Sequence, residues 1–254
     1  MESLEALHRS QRGKVSDKWS SYLPVYDRLF ARYREMPLSL LEIGVQNGGS
    51  LEVWSRYFSN ARMIVGCDIN PRCSELRYAD PRIQVVVGDV NADETRLEIA
   101  ALSENFDLII DDGSHRSLDV LMAFVNYFPL MNPGGLFFIE DTHALYWEEY
   151  QGGILRQTTA LAFFKLLADL VNYEHWQNDL GIAQLFSTFF DRAHLPAFLA
   201  EGWVEAIEFR NSMVIISKSE RPSHAKLGER VISGSEAAVV PQVLELRPAP
   251  QSAI

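Results

Sequence analysis

Five short apolar runs, each closing on an acidic or glycine-rich turn and separated by helical stretches, constrain this chain more than any other feature. They are Ser39–Ile43, running into Gly44-Val-Gln-Asn-Gly48-Gly49; residues 62–67, ending at Asp68; Ile83–Val87, ending at Gly88-Asp89; residues 106–110, ending at Asp111-Asp112; and residues 135–139, ending at Glu140-Asp141. Runs that are apolar on both sides of the pleat suit parallel strands covered by helices on both faces. Residues 50–58 place Leu51, Trp54, Tyr57 and Phe58 at helical spacing, and Ser117–Tyr127 does the same with Leu118, Leu121, Met122 and Val125. Asn132-Pro-Gly-Gly135 reads as a turn before the fifth run, because proline and glycine do not continue a helix there.

Strand–helix alternation of this kind predicts an α/β fold: a Rossmann-like doubly wound sheet of about seven strands, mostly parallel, with helices on both faces. Residues 203–209 and 212–218 read as a C-terminal antiparallel hairpin closed at Arg210-Asn211. Residues 155–172 read as one long, largely apolar helix, a core or dimer helix whose polar face is not basic enough for a membrane surface. The expected organisation is an N-terminal helical, substrate-side segment over 1–35, a catalytic domain over 36–218 and an extended, polar, proline-rich tail over 219–254. Composition enters mainly by exclusion. With 47% hydrophobic and 22% charged residues the chain can build a core, and 34 acidic against 23 basic residues, without a Lys/Arg-rich block, argue against nucleic acid or an anionic membrane as partner. No run of about eighteen apolar residues and no apolar leader is present, so a cytoplasmic protein is expected. Cys67 lies in an apolar run as a small core hydrophobe, and it and Cys73 make no zinc pattern.

In an open parallel sheet, ligands bind beyond the C-terminal strand ends near the switch in strand order. Every acidic turn above falls on that edge. In the first turn Gln46 stands where a dinucleotide fingerprint would need its second glycine, and no Walker lysine follows. S-adenosylmethionine (SAM) suits such a turn better, since it has no pyrophosphate to cradle. Asp68 is placed to accept the ribose hydroxyls, Gly88-Asp89 to meet the adenine amino group, and Glu42 to hold the turn or the ligand's amino group. Gly44, Asn47, Ser50 and Asp111 complete the cofactor candidates. Each acid taken alone reads equally as a turn or helix-capping residue.

The strings Leu40-Leu-Glu-Ile-Gly-Val-Gln-Asn-Gly-Gly-Ser50, Gly66-Cys-Asp-Ile69, Phe106-Asp-Leu-Ile-Ile-Asp-Asp-Gly-Ser-His115 and Phe138-Ile-Glu-Asp-Thr-His143 resemble class I SAM-dependent methyltransferases. Within that class they resemble the metal-dependent sugar O-methyltransferases of natural-product glycosides, the macrocin and mycinamicin type; the cephalosporin hydroxylase family shares the pattern. Asp17-Lys-Trp-Ser-Ser-Tyr22, with Tyr26 after it, is similar to the segment preceding the domain in that group.

With fourth and fifth strands adjacent, Asp112 and Glu140-Asp141 meet at one edge, where oxygen donors suit Mg²⁺ or a similar hard cation. Residues 140 and 141 point to opposite faces unless the chain turns at the strand end. The competing view is that these acids cap helices at a solvated edge. A cation would lower the pKa of a sugar hydroxyl, and a base must still take the proton. His115 has the reach, and the resemblance implies a histidine base at this position; capping of the helix at Ser117 is the alternative. His143 is a second base candidate or a substrate contact. Tyr146 and Trp147 are weak substrate candidates, placed equally well for a lid or a dimer contact. The expected activity is SAM- and Mg²⁺-dependent methylation of a sugar hydroxyl on a small-molecule glycoside, by a homo-oligomer. The alternatives are a catechol or other aromatic acceptor, or a non-catalytic SAM-binding subunit.

Overall fold

The computed structural model describes residues 2–246. Seven strands form one sheet in the order β3-β2-β1-β4-β5-β7-β6. These are β1 Ser39–Ile43, β2 Met63–Asp68, β3 Ile83–Val87, β4 Phe106–Asp111, β5 Met131–Ile139, β6 Val204–Arg210 and β7 Met213–Lys218. The first five are parallel, and β7 runs antiparallel to both β5 and β6. Strand order reverses between β1 and β4, where Ile43 pairs with Asp111. Ligand clefts in open sheets lie at such a switch point.

Side-chain alternation along the strands separates two cores. Leu40, Ile64, Leu108, Ile110 and Phe138 point to the face covered by α1 (Leu4–Arg9), α2 (Tyr22–Phe30) and α3 (Gly49–Tyr57). Leu41, Val65, Ile109, Phe137 and Ile139 point to the other face, covered by α4 (Asp93–Leu102), α5 (Ser117–Tyr127) and α6 (Ala160–Val171). The parallel strands are thus buried on both faces, as their unbroken apolar runs require.

Two elements differ from their sequence patterns. The helix expected over 155–172 begins at Ala160, because the Thr159 side chain caps it by accepting from Ala162 N–H, and Leu155 upstream is left-handed (φ 59°). The remaining helix buries Leu161, Phe163, Phe164, Leu167 and Leu170 in the chain's own core. Asn132-Pro-Gly-Gly135 does not precede the fifth strand but lies inside it, absorbed by a register irregularity opposite Phe106–Leu108. A bulge of this kind accommodates the proline's missing donor. The expected hairpin forms, but its turn lies one residue later than Arg210-Asn211, at Asn211-Ser212, with Arg210 paired to Met213 and Ser212 at φ 63°. Beyond Lys218 the chain is mostly irregular up to a short 3-10 turn, Pro241–Leu246, and the last eight residues of the expected tail lie outside the described residues. Cys67 and Cys73 are free and buried. Among the described residues no helix is long and apolar enough to cross a membrane.

Candidate active site

A cavity of about 620 Å³ opens at the C-terminal edge of β1, β2, β3, β4 and β5, a size typical of small-molecule sites. Its first half is built from turns. Gly44 (φ 92°) passes so close to β4 that a Cβ there would meet the Asp112 carbonyl oxygen at 2.0 Å, so only glycine fits. Asp68 Oδ2 accepts from the N–H groups of Val45 and Gln46 (2.8 Å each), and its Oδ1 accepts from Asn70 N–H, so this carboxylate braces the turn. Asp89 Oδ1 accepts from Asn91 N–H in the same manner. Gly44, Ser50, Asp68, Gly88, Asp89 and Asp111 all line the cavity. Glu42 lies beneath it, fully buried, taking a hydrogen bond from Ser50 Oγ at 2.6 Å. Asn47 is exposed, its side chain donating to Gln46, and is not part of the wall.

Asp111 gives the half its most telling feature. It is 3% exposed; Oδ1 accepts from Gly113 N–H, while Oδ2 is buried with no protein partner. Burial pushes its pKa up to about 7. A buried acceptor on a cavity wall calls for a ligand donor. Together with the glycine-lined turn and the free faces of Asp68 and Asp89, it suits a ligand with hydroxyl and amino donors, as an adenosyl group has.

The second half is acidic. The alternation that sends Leu40, Ile110 and Phe138 to the α2–α3 face continues to Glu42, Asp112 and Glu140, which therefore converge. Their compensation comes from afar. Lys18, whose side chain is 1% exposed, directs Nζ to Asp112 Oδ2 (2.6 Å), Glu140 Oε1 (2.8 Å) and Glu42 Oε1 (3.3 Å). Burial opposes charge on Lys18, but the three carboxylates outweigh it and hold its pKa well above the usual lysine value. Burial pushes Glu140 above the usual carboxylate range against the pull of Lys18, and raises Glu42 as well. Tyr26, one helical turn after Tyr22, donates its hydroxyl to Glu140 Oε1, and Tyr22 lies 2.8 Å from Asp141 Oδ1.

The chain does turn at the end of β5, with Asp141 left-handed at φ 51°. The turn sends Asp141 toward the opening while Glu140 stays inward, 2% exposed. His115, also left-handed at φ 57°, places Nε2 3.7 Å from Asp141 Oδ2 and 4.0 Å from Asp112 Oδ1. Non-glycine residues in this region cluster where a site imposes them. Asp112, His115 and Asp141 offer ligand atoms all within 4.8 Å of one another. Two carboxylate donors with open faces suit a hard divalent cation. Glu140, a candidate ligand from sequence, lies on the inner side of this cluster and accepts from Lys18 and Tyr26.

Beside Asp141 lies an aromatic group, of which Trp19 lines the cavity. Trp19 Nε1 donates to Asp141 Oδ1 (2.9 Å), and His143 stacks edge-on between Trp19 and Trp147 while bonding Ser212 through Nδ1. Tyr146 and Trp147 are about half exposed. Sequence reasoning assigned no role to Lys18, Trp19, Tyr22, Tyr26 or Ser212. The i, i+4 tyrosines mark one helix face, and Lys18 and Trp19 lie in the quoted segment before them, both usable signals; Ser212 carried none.

Residues 41–142 match a family model described as a methyltransferase domain. The chain is 32% identical over 219 residues to an 8-demethyl-8-alpha-L-rhamnosyl tetracenomycin-C 2'-O-methyltransferase of Streptomyces olivaceus, covering 82% of this chain and 53% of that protein. It is 35% identical over 180 residues to a demethylmacrocin O-methyltransferase of Streptomyces fradiae, covering 66% and 45%. Among solved structures it resembles a methyltransferase of the mycinamycin biosynthetic pathway, in complex with Mg, SAH and mycinamycin VI. There the TM-score is 0.69 with 27% identity, covering 86% of this chain and 54% of that one. The chain spans about half the length of the curated relatives it matches.

Proposed function

We propose, on the match of residues 41–142 to a model described as a methyltransferase domain, that this chain moves the methyl group of SAM to a sugar hydroxyl of a glycosylated natural product, with a divalent cation and a histidine base. The observation that supports it most is the sharing of one cavity by a braced glycine turn and the Asp112–His115–Asp141 cluster. The named activities of the relatives, and the Mg, SAH and glycoside in the solved neighbour, point to the same chemistry.

SAM supplies an activated methyl group on a sulfonium, so what the chain must add is a nucleophile. A divalent cation held by Asp112, Glu140 and Asp141 would lower the pKa of a bound hydroxyl and fix its orientation. His115 Nε2 would then take the hydroxyl proton as the oxygen–carbon bond forms and the carbon–sulfur bond breaks, leaving S-adenosylhomocysteine (SAH). His115 could serve instead as a further ligand, but a hard cation prefers oxygen, which favours the base role. Gly44, Ser50, Asp68, Gly88-Asp89 and Asp111 hold the cofactor, with Glu42 supporting the turn through Ser50. Trp19, His143, Tyr146 and Trp147 provide rings on which a sugar can rest. Residues 1–35 form the acceptor side, 36–218 the catalytic domain and 219–254 a tail. A cytoplasmic homo-oligomer completes the proposal, its mass to be read by light scattering.

Titration of SAH into the purified protein by calorimetry is the first test, with micromolar binding expected; no heat from folded protein would sink the cofactor assignment. Glycoside acceptors set against catechols, with and without a chelator, then test the acceptor and the cation. Full turnover in chelator would remove the cation from the reaction.

A further inference from the structure

We propose that Glu52 is a positioning residue that clamps residues 11–19 against the cofactor half of the cavity, and that this strap retains the bound cofactor. The inference rests on the SAM reading given above. Residues 11–19 follow α1 and form neither helix nor strand. Residues 15–19 nevertheless line the same cavity as Gly44, Val45, Gln46 and Ser50. Among the described residues, one backbone–backbone hydrogen bond ties the strap to α3 and the sheet, from Gly49 N–H to the Val15 carbonyl at 3.1 Å. Side chains must therefore do the rest of the holding.

Glu52, in the first turn of α3, gathers the strap's donors onto one carboxylate. Its Oε2 accepts from Gln11 Nε2 (2.6 Å) and Lys14 N–H (2.9 Å), and its Oε1 accepts from Lys14 Nζ (2.8 Å). Hydrogen bonds to an ionised group are the strong ones. The Lys14 ammonium also reaches the Arg77 carbonyl at 2.6 Å and lies 4.2 Å from the centre of the Tyr78 ring, so the clamp spans α3 and the chain after β2. Glu52 itself is not part of the cavity wall, so it acts on the cofactor through the strap. Gly49 records how closely the strap passes. It is the first residue of α3 and is not left-handed, so its backbone and helix propensity both suit alanine. Yet a Cβ there would lie 2.3 Å from the Lys14 carbonyl oxygen and 2.4 Å from that of Val15. The passage of the strap, rather than the turn, requires this glycine. Departure of the cofactor product therefore requires residues 11–19 to lift from α3.

Release of radiolabelled SAH from the loaded full chain, chased with unlabelled SAH in Mg²⁺ buffer, reads the clamp without any turnover. Glu52→Ala removes the acceptor for Gln11 and Lys14 and should release SAH at least about tenfold faster than wild type. Glu52→Gln keeps an oxygen acceptor for Lys14 N–H and should recover part of the retention. Gly49→Ala pushes the strap away from the helix side and should also speed release; it carries the test if Glu52→Ala fails to fold. Trypsin supplies a second readout, because Arg12 and Lys14 lie within the strap. SAH should protect both bonds from cleavage in wild type and protect them less in Glu52→Ala and Gly49→Ala. A clamp that served only the fold would lower the urea midpoint and leave release from the folded chain unchanged. Wild-type release rates in the folded variants would overturn the inference while the cofactor reading stands. So would a wild-type chain that binds SAH without any protection of the strap. No SAH binding by wild type would overturn both.

Discussion

At the end of the cavity built by β1, β2 and β3, Asp68 and Asp89 each accept from a backbone N–H two residues on, and Asp68 accepts from two of the neighbouring glycine turn as well. At the end built by β4, β5 and the segment leading into α2, Asp112 and Glu140, with Glu42 from β1, gather around one ammonium, that of Lys18. Backbone amides are partial charges fixed by the turn, and most single substitutions leave them in place. An ammonium is a full charge that one substitution removes. The first end should therefore tolerate change elsewhere in the cavity, whereas the second concentrates its electrostatics in a few side chains.

Substitutions that separate the two ends test the comparison most sharply. Asp112→Asn removes a proposed ligand and should lower cation-dependent kcat/KM by at least about 10³-fold. Calorimetric SAH affinity should stay within about twofold, since the turns hold their own geometry; a parallel loss of both would break the comparison. His115→Ala should lower kcat by about 10²–10⁴-fold, as expected for a lost general base, again with SAH binding intact. Unchanged turnover at saturating acceptor would remove His115 from the reaction.

From the other end, Asp68→Asn leaves the Val45 and Gln46 donors with a poorer acceptor. SAH affinity should fall by about tenfold to a hundredfold, with kcat at saturating SAM changed little. Gly44→Ala joins the two halves, because its Cβ would press on the Asp112 carbonyl from a left-handed residue. It should cost roughly 1–3 kcal/mol in urea unfolding, and a neutral result would mean that the turn yields freely. The smallest effect is expected at Cys67, which lines the cavity and whose thiol burial pushes up to about 12. At pH 8 it stays protonated, so iodoacetamide should label the native chain far more slowly than a free thiol, with SAH slowing it further. Rapid labelling would show that the first half opens readily.

Much of this was legible before any coordinates. The five runs end at the turns they announced, and the strand order beside the switch point places Asp68, Gly88-Asp89, Asp111 and Asp112 along one edge. The alternation that puts Leu40 and Phe138 on one face also assigns Glu42, Asp112 and Glu140 to it, a consequence available from the pattern itself. The start of α6 was less legible, because a helix-favouring apolar run extends past the Thr159 cap that limits it.

What the sequence alone determined is local: strand and helix periods, the glycine turn, and which acids stand at strand ends. These depend on residues a few positions apart. What only the tertiary structure decided is which charge meets which. Lys18 reaches Asp112 and Glu140 across 94 and 122 residues, and Tyr22 meets Ser212 across 190. Such pairings depend on how α2 and the β6–β7 hairpin pack against the finished sheet, so no short window of sequence contains them. The outward placement of Asp141 and the inward placement of Glu140 were decided in the same way, by one left-handed residue at the end of β5 and the partners on each side.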